Sequence, residues 1–510
     1  MSQVQPVLEE RVAGLARAGL VLGPLAFAAL LLLPSGLDPL QRRVAAVAAW
    51  TALWWLTSAL PVGATSLLPA VLLPLCGALE AKKVAPFYMD DLVLLFLGAF
   101  LLTRGLERWN VHRRAALFVL AHVGTAPRRL VLGMMCASAG LSAFVNNTST
   151  TLLMLPIALA LIAAHGGEPR ARTAFARALL LGVAYSASVG GITTPVGTAP
   201  NQIFLGQFRA RYPGAEEIGF VQWTLAWLPV VVLYLPLGWW LLTRVLFRVP
   251  AGAGRGQEVV AAERRALGPW NAGERRMAAL FVLTALLWVT RADVELGGLR
   301  FEGWGDLFRG TLETSPVTDA TVAITLALVA FVLPSGVARG EALLDWSTAR
   351  ALPWDVLLLF GGGFALAGAV KASALDELVG ASLAPWIAGQ PEWLVVLALV
   401  LLVTGLSELA SNVATTTVML PIVGQAAVAA GFSPLFAMAP ATIAASNGFM
   451  LPVATPPNAI VFATGEIPAP TMARAGFVID LLVAGLVTVV FLGWGRFVLQ
   501  IAPGVPDWAR

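Results

Sequence analysis

Long apolar runs dominate this chain, near residues 19–34, 44–60, 62–79, 92–106, 221–246, 274–290, 319–334, 354–370 and 475–495. An α-helix needs roughly 20 apolar residues to cross the hydrocarbon of a bilayer. So many runs of about that length leave no water-soluble fold open. Composition agrees: of 510 residues, 58% are hydrophobic and 12% charged, where a soluble domain averages about 25% charged. Most of the exterior must face lipid, and a multi-pass protein of the cytoplasmic membrane is expected. The net charge of +4 does not form a nucleic-acid face, because Lys and Arg fall in short loops between apolar runs, in the positive-inside pattern. Cys76 and Cys136 lie in or beside apolar runs and suggest neither a disulfide nor a metal site. Glu9, Glu10 and Arg11 precede the first run, which therefore reads as a span and not as a cleavable signal.

Two further zones, 129–210 and 391–466, are apolar but broken by clusters of Asn, Ser, Thr, Gly and Pro. One such cluster ordinarily serves helix–helix hydrogen bonding. Here the clusters come in pairs. Asp91 to Phe100 resembles Asp355 to Phe364, 264 residues later. Asn146-Asn147-Thr148-Ser149-Thr150-Thr151, running to Met154-Leu155-Pro156-Ile157, resembles Ser411-Asn412-Val413-Ala414-Thr415-Thr416, running to Met419-Leu420-Pro421-Ile422, at 265. Pro195-Val196-Gly197-Thr198-Ala199-Pro200-Asn201 resembles Pro452-Val453-Ala454-Thr455-Pro456-Pro457-Asn458, at 257. Matches in the same order at nearly constant spacing indicate an internal duplication.

Loop charge orients the halves. Arg128 and Arg129 precede the first broken zone, and Arg170, Arg172 and Arg177 interrupt it. Both places read as cytoplasmic, so 129–165 enters and leaves on one side, as a re-entrant hairpin turning near Asn146 to Thr148. No Lys or Arg occurs between Lys371 and Arg474, so the matching hairpin at 391–430 opens to the outside. The stretch 247–276 carries Arg248, Arg255, Arg264, Arg265, Arg275 and Arg276 and reads as cytoplasmic, while 291–319 is more acidic and reads as external. Equivalent hairpins entering from opposite faces mark inverted-topology repeats.

The expected fold is therefore an all-α polytopic membrane protein of two inverted repeats. Residues 1–18 form an N-terminal interfacial segment. The first half is 19–246, with the hairpin 129–165 and a broken helix 175–210. A cytoplasmic linker, 247–273, leads to the second half, 274–500, with the hairpin 391–430 and a broken helix 437–466. The tail is 501–510.

Backbone inside a bilayer must be paired unless it lines a protected cavity. Each hairpin turn and each helix break thus implies a cavity near the midplane. Pro200, Pro456 and Pro457 lack N–H groups and favour the first turn of a following half-helix. Such an N-terminus carries free N–H groups and about half a positive charge. Four of them meeting would hold an anion without Lys or Arg. The carbonyls freed at the breaks, with Asn side-chain oxygens, suit a hard monovalent cation such as Na⁺.

The stretches Ala410 to Thr417 and Leu451 to Phe462 resemble the divalent-anion:sodium symporter family, which includes sodium-coupled dicarboxylate and citrate transporters. Ala184 to Gly191, through to Asn201, is also similar, and the resemblance covers about residues 20 to 500. It implies a homodimer with a scaffold domain and a moving transport domain working as an elevator, driven by Na⁺, with no organic cofactor and no nucleic-acid partner. It implies that the substrate is held by Asn146, Asn147 and Thr148, by Ser411, Asn412 and Val413, and by the steps Thr198-Ala199 and Thr455-Pro456. One Na⁺ site is implied at Ser142, Asn146, Asn147 and Gly197, the other at Ser407, Ala410, Asn412 and Ala454. Three residues depart from the family pattern: Asn146 stands for Ser, Val413 for Thr and Ala199 for Pro. Asn146, the larger residue, bears on the first cation site and on the size limit of the substrate.

Other residues have plainer readings beside functional ones. Asp91 and Asp355 sit at span ends, where a carboxylate caps a helix or serves as a gate. Glu408 lies deep in the second hairpin, where a carboxylate is costly and usually functional; a structural bond to the hairpin backbone is the competing reading. His112, His122 and His165 share no metal-ligand spacing and read as interfacial. Trp54, Trp55, Trp239 and Trp240 read as belt or packing residues. A membrane-embedded enzyme is disfavoured, because no Ser/His pair falls at membrane depth and no HExxH or Walker motif occurs. A channel would need a continuous polar pore. The reading is a secondary transporter of C4 dicarboxylates such as succinate, fumarate or malate. A sulfate-like or citrate symporter and a Na⁺-independent exchanger are its alternatives.

Overall fold

The computed structural model describes residues 4–34, 36–124, 126–165, 168–251, 256–296, 299–308 and 316–509; Arg255 of the linker lies outside them. Each apolar run is built around helix. Among the described residues, eight helices are long and apolar enough to cross a membrane, which makes this a multi-pass membrane protein. The all-α class holds, with one small exception: an antiparallel hairpin pairs Val294–Leu296 with Leu299–Phe301. The first helix runs Val4–Leu32, so the expected N-terminal segment continues into the first span from residue 4 onward.

Local chemistry explains where the early helices of each half begin. Asp38 accepts hydrogen bonds from the N–H groups of Leu40 and Gln41 at 2.9 and 2.8 Å, Gln41 accepts one back from the Asp38 N–H, and Pro39 takes the first helical position. Asn271 and Glu274 exchange bonds in the same way at 2.8 and 2.9 Å. These reciprocal caps satisfy amides that the first turn leaves unpaired.

The duplication is visible in three dimensions. Asp91–Arg108 turns at Asn110 into a short helix, Val111–Val123; Trp354–Ala372 turns at Ala374 into Leu375–Ile387. Both turn residues adopt the left-handed conformation, φ 52° and 53°. Each half then gives a helical hairpin, Pro127–Ser142 with Asn147–Ala164 and Glu392–Leu409 with Asn412–Ala429. A broken helix follows, Pro169–Gly191 with Ala199–Arg211 and Pro434–Ala445 with Pro456–Phe462. Each half closes on a long helix, Phe220–Trp240 and Ala469–Val490, ending in a π turn at Leu241–Leu246 and Phe491–Gly495.

The halves interlock. Asp91–Arg108 packs on Asp319–Val332 of the second half, and Trp354–Ala372 packs on Val62–Leu75 of the first. Gly98 and Gly362, 264 residues apart, sit at these two crossings. A Cβ on Gly98 would lie 2.6 Å from Ala323, and one on Gly362 would lie 2.4 Å from the Ser66 carbonyl. Only glycine permits so close an approach of backbones. The largest apolar cluster joins the hairpins, the broken helices and the closing helices around Tyr185, Phe204, Trp223, Trp227 and Tyr234, all fully buried, and extends into the preceding helices at Phe96, Val322 and Phe360. Two smaller clusters lie in the helices that precede the hairpins.

Candidate functional site

The hairpin tips and helix breaks come together as pairs. In the first half, the Ser142 hydroxyl donates to Asn147 Oδ1 at 2.7 Å. In the second, the Ser407 hydroxyl stands 2.7 Å from both Asn412 Oδ1 and the Ala445 carbonyl. Each Ser–Asn pair spans a tip, between the last turn of one arm and the first turn of the next. Opposite each tip lies a break, whose backbone is held by an asparagine. Asn201 Nδ2 donates to the carbonyls of Gly191 and Thr194 at 3.0 and 2.8 Å. Asn458 Nδ2 donates to those of Gly448 and Leu451 at 2.9 and 3.0 Å. Both asparagines are fully buried. These residues belong to the repeated Pro-Asn motif, but the sequence reading gives them no role; the repetition of that Asn was the available signal.

The closing part of each break is pinned from a neighbouring helix. The Ile192 carbonyl accepts from Trp223 Nε1 at 3.1 Å, and the equivalent Phe449 carbonyl accepts from the Tyr185 hydroxyl at 2.9 Å. Carbonyls that a continuous helix would consume are thereby taken up by buried side chains.

Around the first tip this produces an oxygen cradle. A Cβ built on Gly191 would lie 2.4 Å from Asn147 Oδ1 and 3.3 Å from the Gly197 carbonyl. One built on Gly197 would lie 2.4 Å from the Gly191 carbonyl and 3.0 Å from that of Ala143. Four neutral oxygens thus lie against the two glycines, where a larger residue would leave them no room. The second tip is looser at its glycine: Ala454 replaces Gly197, and its methyl stands 3.2 Å from a Cβ on Gly448, with the Ser407 carbonyl at 3.5 Å. Neutral oxygens without a carboxylate suit a hard monovalent cation. Among the described residues, no group of three His, Cys, Asp or Glu side chains is placed to hold a metal.

The tips are also helix N-termini. Asn146, Ser411, Thr198 and Thr455 are the N-cap residues of Asn147–Ala164, Asn412–Ala429, Ala199–Arg211 and Pro456–Phe462. The Asn146 side chain accepts from the Ser149 N–H at 2.8 Å, so its oxygen is engaged in capping. Thr455 Oγ1 accepts from the Asn458 N–H at 3.3 Å, whereas Ser411 and Thr198 make no side-chain cap. Thr148, Ala199 and Val413 are half-buried at the starts of their helices, and Pro456 is exposed at the first helical position. Ala410 closes the arm before the second tip. The two halves touch where the site lies: Asn147–Ala164 packs on Pro456–Phe462 and Ala199–Arg211 packs on Asn412–Ala429, with Gln207 Nε2 donating to the Thr417 carbonyl at 3.0 Å.

Several side chains outside the tips differ from expectation. Asp91 does not cap its helix; Asp90 does, accepting from the Leu92 N–H at 3.1 Å. Asp91 instead pairs with Arg209 at 3.3 Å and accepts from the Thr318 hydroxyl at 2.9 Å. Asp355 lies exposed one residue inside its helix, whose N-cap position is Pro353. Glu408 bonds the backbone of the second break, accepting from the Met450 and Leu451 N–H groups at 2.7 and 2.9 Å. His112 and His122 each bond a carbonyl in their own neighbourhood, and His165 lies against Phe175.

Comparison with known proteins places this architecture. The model of the sodium:sulfate symporter transmembrane region matches residues 16–501. The sodium-dependent dicarboxylate transporter SdcS of Staphylococcus saprophyticus is 38% identical over 488 residues, 93% of this chain and 90% of that protein. SdcS of Staphylococcus aureus is 37% identical over 501 residues, covering 96% and 92%. Among solved structures, Neisseria gonorrhoeae MtrF superposes with a TM-score of 0.57 at 14% identity, covering 86% of this chain and 87% of that one. The Alcanivorax borkumensis YdaH transporter gives 0.53 at 15%, covering 89% and 99%. These two structures share the fold alone, whereas the family model spans nearly the whole chain, which belongs to the sodium:sulfate symporter family.

Proposed function

We propose that this protein is a secondary transporter of the cell membrane that carries a C4 dicarboxylate such as succinate, fumarate or malate, coupled to Na⁺. The observation that carries this reading is the doubled tip: two Ser–Asn pairs at 2.7 Å, each facing a break held open by a buried asparagine. Two relatives at 37–38% identity bear the name sodium-dependent dicarboxylate transporter, in agreement with it.

In this reading one Na⁺ takes Ser142, Asn147 and the carbonyls around Gly197, with Asn146 beside it. A second takes Ser407, Asn412 and the backbone at Ala410 and Ala454. The substrate lies between them. One carboxylate meets Asn146, Asn147, Thr148 and the Thr198-Ala199 step, and the other meets Ser411, Asn412, Val413 and the Thr455-Pro456 step. Helix N-termini supply N–H donors and partial positive charge to both ends. Two cations beside a dianion make the loaded site neutral, which removes most of the cost of moving it through a low-dielectric region. A transport unit slides as an elevator on a scaffold, in a homodimer, as the family resemblance implies. No Lys or Arg belongs to the tip or break motifs, so a compact tetrahedral dianion would lack the cationic fork that usually holds it. Sulfate is the second reading, because the family model is described by it.

Purified protein in liposomes decides between these readings. Labelled succinate should accumulate when an inward Na⁺ gradient is imposed, with fumarate and malate competing and butyrate not. Asn147→Ala and Asn412→Ala should each abolish uptake while reconstituting at wild-type density. Sulfate uptake without succinate competition rejects the dicarboxylate assignment. Equal succinate exchange with and without Na⁺ rejects the coupling.

A further inference from the structure

Glu408 and Asp480 set the second half apart from the first. The residue 265 before Glu408 is Ala143, and with the closing helices aligned on their π turns, 250 residues apart at Leu241 and Phe491, Asp480 falls opposite Val230. Both carboxyl groups are 5% exposed. Neither oxygen of Asp480 makes a hydrogen bond among the described residues; its polar neighbours are the Glu408 carboxyl group and the backbone of Phe449. The remaining polar groups facing the pair are Tyr185, whose hydroxyl is committed to the Phe449 carbonyl, and Tyr234 beyond it.

Glu408 accepts two backbone N–H bonds, from Met450 and Leu451, at 2.7 and 2.9 Å. Glu408 thus grips Leu451 by its N–H, while Asn458 grips the same residue by its carbonyl at 3.0 Å. The first half holds the equivalent residue, Thr194, by different means. Its carbonyl accepts from Asn201 at 2.8 Å, and its own hydroxyl donates to the carbonyl of Ala143, the residue that stands where Glu408 stands.

We infer that Glu408, with Asp480 beside it, is the positioning residue of the second cation site, doing for Leu451 what the Thr194 hydroxyl does in the first half. Neither residue touches the cation. The inference rests on the reading that Ser407, Asn412 and Ala454 hold Na⁺, so its test measures the Na⁺ dependence of succinate uptake in proteoliposomes. Glu408→Gln, which offers one oxygen to two N–H groups, should raise the Na⁺ half-saturation concentration about tenfold while keeping most of the rate at saturating Na⁺. Asp480→Leu should shift it in the same direction. Asp480→Asn, which keeps a polar group beside Glu408, should shift it by less than about twofold. The double variant Glu408→Ala with Leu451→Thr rebuilds the first-half arrangement and should recover much of what Glu408→Ala alone loses. An unchanged half-saturation in Glu408→Gln, equal damage by Asp480→Asn and Asp480→Leu, or no recovery in the double variant overturns the inference. Asn412→Ala separates the two readings: if it destroys Na⁺-driven uptake while Glu408→Gln has no effect, the positioning role fails and the site stands. If neither changes the Na⁺ dependence, both fail.

Discussion

The clefts of the two halves present the same donors but are propped open differently. The first rests on glycine at both walls, Gly191 and Gly197, with Ala143 and Thr194 closing the break through a hydroxyl–carbonyl bond. The second keeps one glycine, Gly448, narrows the other wall with Ala454, and holds its break with the Glu408 carboxylate. What is repeated without change is the Ser–Asn pair at the tip and the Asn that bridges two carbonyls across the break. The oxygen set is therefore the constrained part, and the packing behind it admits more than one solution. Substitutions at the repeated residues should behave alike in the two halves. Those at the supporting residues should not.

The largest difference is expected at the glycines. Gly191→Ala drives a methyl to 2.4 Å from Asn147 Oδ1 and should lower Na⁺-driven uptake by about a hundredfold or more, since a packed core does not absorb such overlap cheaply. Gly448→Ala meets its nearest atoms at 3.2 and 3.5 Å and should cost about tenfold or less. Initial rates normalised to reconstituted protein test this; equal losses would break the comparison. A smaller effect separates the helix breaks. Thr455 caps its helix through the Asn458 N–H and Thr198 makes no such bond, so Thr455→Val should raise the apparent succinate KM about five- to tenfold, roughly 1 kcal/mol, and Thr198→Val should raise it less. The reverse order, read from KM at saturating Na⁺, contradicts the asymmetry. The smallest effect belongs to the tip. Asn146→Ser keeps a cap, because Ser serves at that position as well as Asn, but removes bulk from the mouth of the first site. Citrate should then compete with succinate about threefold better, roughly 0.6 kcal/mol. Unchanged citrate inhibition removes Asn146 from the size limit.

Much of this was legible in the sequence, because proline, glycine and asparagine inside apolar runs mark breaks whatever packs around them. The hairpins, the broken helices and their pairing all follow from such residues. The short helices Val111–Val123 and Leu375–Ile387 were not legible: neither is apolar enough to read as a span, and each begins at a left-handed residue, Asn110 or Ala374, whose side chain makes no cap. Asp91 was misread by one position, since the neighbouring Asp90 carries the extended backbone that an N-cap requires. Asp480 sits in an ordinary-looking apolar run 72 residues from Glu408, and only packing joins them. The roles of Asn201 and Asn458 depend on which carbonyls a break releases, which spacing does not tell.

Central to this account is that the two clefts belong to halves of opposite orientation. Single cysteines at Glu168 and Gly431, both exposed at the base of their hairpins, test it most directly in a background with Cys76 and Cys136 replaced. A membrane-impermeant maleimide applied to sealed right-side-out vesicles should label Gly431→Cys at once and Glu168→Cys only after the membrane is opened. Labelling of both from the same side would contradict the inverted arrangement, and with it the two-ended site.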